Sequence, residues 1–170
     1  LTQLARAGCP VSYGGFSSNV YMKSGAPAYG TPEHLKMQIG GGQLARHIGL
    51  PWRTASGAAS NTADMQAALE TTMGLWGSSL AHGTLIVHTA GWLEGGLASS
   101  YEKLIMDADQ LTMLQKFAEG LDFSENGQAL DAIREVGPGS HFLGCSHTQA
   151  NFENAFWRSQ LADNNSFEQW

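Results

Sequence analysis

Thr84-Leu85-Ile86-Val87-His88-Thr89 is the stretch on which the fold turns. Three apolar residues run together, two of them β-branched, with no polar residue alternating between them. That pattern fits a short strand buried on both faces, as in a parallel sheet. Just upstream, Ala81-His82-Gly83 closes a helix predicted from about Asp64 to Leu80. Its apolar face is Met65, Leu69, Met73 and Trp76, at spacings of four and three. Downstream, the loop from Ala90 to Ser99 leads into a helix predicted from about Ser100 to Glu119. Leu104, Ile105, Leu111, Leu114 and Phe117 are expected to face inward.

The same strand-then-helix order repeats toward the N-terminus. Leu50-Pro51-Trp52-Arg53-Thr54-Ala55 is the second strand candidate, followed by a small-residue loop from Ser56 to Thr62. The first is Pro10-Val11-Ser12-Tyr13-Gly14-Gly15-Phe16, followed by a long loop from Ser17 to Gly30. Thr31 then reads as an N-cap, with Pro32 at the first helical position and Glu33 near the positive end of the helix dipole. Leu35, Ile39, Leu44 and Ile48 give this helix its apolar face, and Gly49 ends it. Strands joined by crossover helices make a parallel α/β sheet with helices on its outer face.

Beyond Asp122, Gln128 to Val136 is expected to be a short helix stopped by Gly137-Pro138-Gly139. His141 to Gly144 can be a last strand or a loop, and Asn151 to Leu161 is expected to be helical. No repeat or linker divides the chain, so residues 1–170 are expected to form one domain.

Composition narrows the function. Hydrophobic residues make up 42% and charged residues 14%, which marks a globular chain. The net charge of −6 argues against nucleic acid as a partner. No apolar run approaches the roughly 20 residues of a membrane span. Cys9 and Cys145 lack metal-site spacing and are expected to be reduced, in a cytoplasmic protein. Leu1-Thr2-Gln3-Leu4-Ala5-Arg6 lacks the features of a signal peptide and reads like the end of a helix already under way. A fragment, a processed product or an isolated domain is expected.

The conspicuous loops all follow strands and carry Asn19, Arg53, Asn61, His88, Trp92 and Glu94. The opposite connections, such as His47-Ile48-Gly49, are short. Ligands bind at the C-terminal ends of parallel strands in barrels and open sheets alike. Glycine is frequent, at 21 residues, and the Gly40-Gly41-Gly42 run fits either close helix packing or approach to a ligand. There is no G-x-S-x-G elbow, P-loop or dinucleotide fingerprint. His141, Cys145 and His147 give H-x3-C-x-H, which matches no established zinc pattern, so no metal is expected.

Several blocks, in order, carry a resemblance. They are Tyr13-Gly14-Gly15-Phe16, the run from Lys23 to Glu33, and Gly41-Gly42-Gln43-Leu44-Ala45-Arg46. Then come Ala90-Gly91-Trp92-Leu93-Glu94-Gly95-Gly96-Leu97, Glu102-Lys103-Leu104-Ile105, and the run from Leu130 to Gly139. With these the chain resembles the trimethylamine:corrinoid methyltransferase family nearly end to end. The resemblance implies the C-terminal half of a (β/α)8 TIM-type barrel, with parallel strands and outer helices. It implies an enzyme of methylamine metabolism, in a family related to methanogenesis. The methyl group of a tertiary or quaternary amine goes to the cobalt of a corrinoid, which a separate corrinoid-binding protein carries. No cofactor is then bound by this chain itself. One branch of the family uses pyrrolysine. This chain holds only the standard residues, so either it belongs to the pyrrolysine-free branch or the pyrrolysine position lies outside it; the former is favoured, and with it glycine betaine or a related quaternary amine.

Within that resemblance, His88 can orient a substrate carboxylate or assist the leaving amine, or it can be a core histidine bonded to backbone. Trp92 can hold a quaternary ammonium by cation–π attraction and Glu94 by charge, or both can be loop residues. Tyr13 and Phe16 can add aromatic walls or pack the core. Arg53 can bind a substrate carboxylate or a corrinoid side chain, or form an ion pair. His147, if it acts, is expected to face the same barrel mouth. His88, Trp92 and Tyr13 are expected around one concavity.

A rival reading follows from the physics of an incomplete barrel. Three or four strands cannot close an eight-stranded barrel, and they leave edges and apolar faces uncovered. The chain alone is then an inactive half barrel with at most a binding role. It associates with itself as a homo-oligomer, two half barrels closing on each other.

Overall fold

The computed structural model describes residues 1–15 and 17–170, so Phe16 lies outside the described residues. Two compact units divide the chain, residues 1–110 and 111–170.

The first unit opens with the short helix α1 (Thr2–Ala5), followed by strand β1 (Tyr13–Gly14). A small hairpin of β2 (Asn19–Val20) and β3 (Pro27–Ala28) leads to helix α2 (Pro32–His47). Strand β4 (Trp52–Ala55), helix α3 (Met65–Leu80) and strand β5 (Leu85–Val87) complete a three-stranded sheet ordered β1-β4-β5. A second hairpin, β6 (Trp92–Leu93) and β7 (Ala98–Ser99), precedes helix α4 (Tyr101–Ala118).

All three strands of the sheet run parallel. Tyr13 pairs with Trp52, Gly14 with Arg53, and Arg53, Thr54 and Ala55 with Leu85, Ile86 and Val87. Parallel pairing needs crossovers, and α2 and α3 supply them. The α/β reading with parallel strands therefore holds. The strand expected over residues 10–16 is shorter. Among the described residues the sheet is open, with three strands and no closed barrel.

Helix starts follow their caps. Thr31 Oγ1 accepts from His34 N at 3.3 Å, and Asp64 Oδ1 accepts from Ala67 N at 2.9 Å. Each bond satisfies an N–H that the first helical turn leaves without a partner.

The helix faces differ from expectation. Alternation along β4 turns Trp52 and Thr54 toward α2 and α3, and both are buried. There α2 presents His34, Gln38, Gly42 and Ala45, while α3 presents Ala67, Thr71, Gly74, Leu75 and Ser78. Gln38 joins the layers: its Nε2 donates to Ala55 O at 2.7 Å and Ser78 Oγ at 2.9 Å. The predicted apolar stripes are split: Leu44, Ile48, Met65 and Leu69 are exposed, while Leu35, Ile39, Met73 and Trp76 are half-buried. Small residues let the helices approach each other and the sheet closely, and large side chains would hold them apart. On α4 the expected Leu104, Ile105 and Phe117 are also exposed, while Lys103 and Asp107 are fully buried.

The second unit carries α5 (Glu125–Gln128), α6 (Leu130–Val136) and α7 (Ser146–Asn151). The sequence from His141 to Gly144 is a loop. The helix expected over 151–161 lies earlier, capped by Cys145, whose Sγ accepts from Thr148 N. Residues 152–161 form turns and irregular chain. Among the described residues, no helix is long and apolar enough to cross a membrane.

Candidate functional site

The C-terminal end of β5 carries the densest chemistry of the first unit. His88 follows Val87 with φ 56°, in the left-handed region. Non-glycine residues reach that region at a cost of about 1–2 kcal/mol, and such outliers cluster at functional sites. The turn points the chain into the β6–β7 hairpin, where the Trp92 ring lies edge-on to the His88 ring. The centroids are 4.2 Å apart and the planes cross at 66°. Trp92 pairs with Ser99 across the hairpin and covers Gly96, where a Cβ would fall 2.3 Å from the indole. Any side chain at Gly96 would displace the ring.

Arg53 belongs to the same region. Alternation sends it to the sheet face opposite Trp52 and Thr54. It passes over Gly14, whose absent Cβ would lie 2.8 Å from Arg53 Cβ. Burial holds the His88 imidazole below its ordinary pKa, and the Arg53 charge pushes it further down. His88 is thus neutral at pH 7, able to accept or donate a hydrogen bond without adding a charge.

Glu94 stands at the tip of the hairpin. It is exposed, with φ 51°, a second non-glycine residue in the left-handed region. Its side chain makes no hydrogen bond or ion pair among the described residues, although its backbone N–H donates to Ser60 O at 2.8 Å. The His88 and Trp92 rings are thus in contact, the Arg53 charge acts on His88, and Glu94 stands two residues beyond Trp92.

Tyr13 is not among them. The register sets it beside Trp52, at the start of β4, whereas His88 follows the end of β5. Four residue steps separate those levels, roughly 13 Å along the strands. Tyr13 instead tilts against Trp52, with ring centroids 5.5 Å apart, beside a cleft of about 250 Å³ shared with Lys36, Gly41 and Leu44. The one concavity expected for His88, Trp92 and Tyr13 does not include Tyr13. Phe16 lies outside the described residues. His147 belongs to the second unit, on α7, where its Nε2 lies 2.8 Å from Asn126 O beside an open cavity of about 700 Å³.

Several polar residues around the site escaped the sequence reading. The Glu70 carboxylate accepts from Ala59 N at 2.7 Å and Ser60 N at 3.0 Å. Lys103 pairs with Asp107, and Asp107 Oδ2 accepts from Gly91 N at 2.9 Å. The one signal for the pair was its spacing of four on a helix, which also describes an ordinary solvated ion pair.

Comparison with known proteins agrees with the resemblance. The family model for trimethylamine methyltransferase matches residues 1–170. A glycine betaine methyltransferase of Desulfitobacterium hafniense strain Y51 is 39% identical over 100% of this chain and 36% of its own length. A trimethylamine methyltransferase from another strain of that species is 31% identical, over 100% of this chain and 34% of its own. A proline betaine:corrinoid methyltransferase of Eubacterium limosum is 32% identical, over 95% and 34%. The chain therefore spans about a third of the length of these relatives, and it is not their C-terminal half. With the match running over every residue, including Gly91 to Gly96 around the indole, the chain belongs to the trimethylamine methyltransferase family.

Proposed function

We propose that this chain supplies the amine-binding rim of a corrinoid-dependent methyltransferase whose substrate is a betaine, a quaternary amine that also carries a carboxylate. The observation that carries the reading is the edge-on packing of Trp92 against a neutral His88 within the field of Arg53. An indole attracts a quaternary ammonium, and a guanidinium attracts a carboxylate. The two together suit a zwitterion better than a simple amine. Glu94 adds negative charge on the ammonium side, and His88 can orient the carboxylate. In the full reaction a corrinoid, carried by a partner protein, supplies the cobalt that accepts the methyl group. The C–N electron pair stays on the departing amine. The task of these side chains is to hold the N–CH3 bond in line without binding the cation too tightly. The remaining strands of a (β/α)8 barrel would complete the wall around the site, in a cytoplasmic enzyme.

Dimethylglycine formation from glycine betaine, in the presence of the reduced corrinoid protein, tests this reading. Turnover that disappears in Trp92→Ala supports it. Turnover unaffected by Trp92→Ala and Arg53→Ala would reject it.

A second reading rests on Leu85, which is 55% exposed on the edge strand β5. An open edge with an exposed apolar residue invites pairing with another chain. On this reading the chain by itself is inactive and associates with its own copies. Sedimentation at micromolar concentration decides it: a dimer or larger species supports association, and a stable monomer excludes it.

A further inference from the structure

The segment that carries Trp92 is held at both ends by polar groups for which the proposed binding of substrate has no use. At its start, Gly91 N–H donates to Asp107 Oδ2 at 2.9 Å. The other oxygen of that carboxylate accepts from Lys103 Nζ, which also donates to Thr71 Oγ1 at 2.8 Å. At its end, Glu94 N–H donates to Ser60 O at 2.8 Å and Gly95 N–H to Ala58 O at 2.9 Å. The loop supplying those carbonyls is itself fixed by Glu70 through the amides of Ala59 and Ser60. Two consecutive residues of α3, Glu70 and Thr71, thereby serve opposite ends of one hairpin.

Stability alone is a poor explanation for this arrangement. Lys103 and Asp107 are both 0% exposed, and burying an ion pair costs more desolvation than an apolar pair of the same size. Burial raises the Asp107 carboxyl from its ordinary value despite the pull of Lys103 and Gly91 N–H. What the pair provides, and two leucines would not, is a fixed acceptor for the Gly91 amide one residue before the indole. Binding side chains need such support to hold their geometry.

We propose that Lys103, Asp107 and Glu70 are positioning residues, which clamp the two ends of the Gly91–Gly95 segment and so set the Trp92 ring against His88. The inference rests on the amine-binding reading of that site, and two charge-free double variants test it. Lys103→Met with Asp107→Asn removes both charges but keeps an amide oxygen for Gly91 N–H. Lys103→Met with Asp107→Leu removes the acceptor as well. The readouts are proton NOEs between the His88 and Trp92 rings and the Kd for tetramethylammonium.

The Asn variant should keep the NOEs and bind within about 3-fold of the parent. The Leu variant, equally folded by circular dichroism, should lose the NOEs and bind at least about 10-fold more weakly, the equivalent of about 1.4 kcal/mol. Unchanged NOEs and affinity in the Leu variant would overturn the proposal. Glu70→Leu tests the clamp from its other end, without disturbing a buried charge, should the double variants not fold. It should weaken the same NOEs, and full retention of them would count against the clamp. If the parent itself does not bind tetramethylammonium, the amine-binding reading fails, and the NOEs alone still decide the positioning role.

Discussion

The His88 and Trp92 rings meet edge to face with their centroids 4.2 Å apart, although three residues of chain and a change of strand separate them. Burial and the Arg53 charge both lower the His88 pKa, so protonation works against the folded arrangement. Above the unfolded value of about 6.5 both states are neutral and stability is at its full level. As pH falls below that value, the unfolded chain takes the proton first and stability declines until the folded pKa is reached. His34, lowered by burial, acts in the same direction. An NMR titration of the His88 ring should give a value below the unfolded one, and Arg53→Met should raise it.

Arg53 should separate substrates by charge. Hydrogen bonds to a charged group are worth about 1.5–3 kcal/mol. Arg53→Ala should therefore weaken glycine betaine binding by about 10- to 100-fold. Tetramethylammonium, which has no carboxylate, should bind within about 3-fold of the parent. Calorimetric titration of both ligands checks the difference.

Gly40 and Gly41 adjoin each other in α2 but should respond oppositely to a methyl group. A Cβ at Gly41 would fall 2.5 Å from the buried Trp52 ring, while nothing lies within 4 Å of one at Gly40. Gly40→Ala should stabilise by about 0.5–1 kcal/mol, the helix-propensity gain. Gly41→Ala should destabilise by about 1–3 kcal/mol through overpacking. Urea denaturation of both variants reads the sign directly.

Glu94 holds a strained backbone without a side-chain partner among the described residues. Glu94→Gly should relieve that strain and stabilise the chain by about 1 kcal/mol, whereas Glu94→Gln should leave stability unchanged. Both should weaken binding of a quaternary amine several-fold. A gain in stability together with a loss of affinity is the outcome expected where a residue is kept for binding.

The parallel order was legible from the short apolar run Leu85-Ile86-Val87, but burial on both faces was not met: β5 is an edge strand among the described residues, with Leu85 exposed and Ile86 and Val87 half-buried. Thr31 and Asp64 marked two helix starts through local chemistry. The helix faces were legible only in part, because periodicity was counted on large apolar residues: Leu35, Ile39, Met73 and Trp76 are half-buried, but Leu44, Ile48, Met65 and Leu69 are exposed. The buried contacts of α2 and α3 run through Gly42, Ala45, Ala67, Gly74 and Ser78, whose small size matters only once two elements meet. Lys103 and Asp107 were hidden for a related reason: their partners, Thr71 and Gly91, lie 32 and 16 residues away. The expected loop after β5 does carry His88, Trp92 and Glu94 together, with His88 and Trp92 in ring contact. Tyr13 fell at the other end of the sheet because strand register is set between strands and is not written in either one alone.

An NMR titration of the chain with glycine betaine decides whether Trp92, His88 and Arg53 form one binding rim. Saturable shifts of the Trp92 indole, the His88 ring and the Arg53 guanidinium are expected, moving together with one Kd. Absence of saturable shifts there, or shifts confined to the cleft beside Tyr13 or to the surroundings of His147, would contradict it.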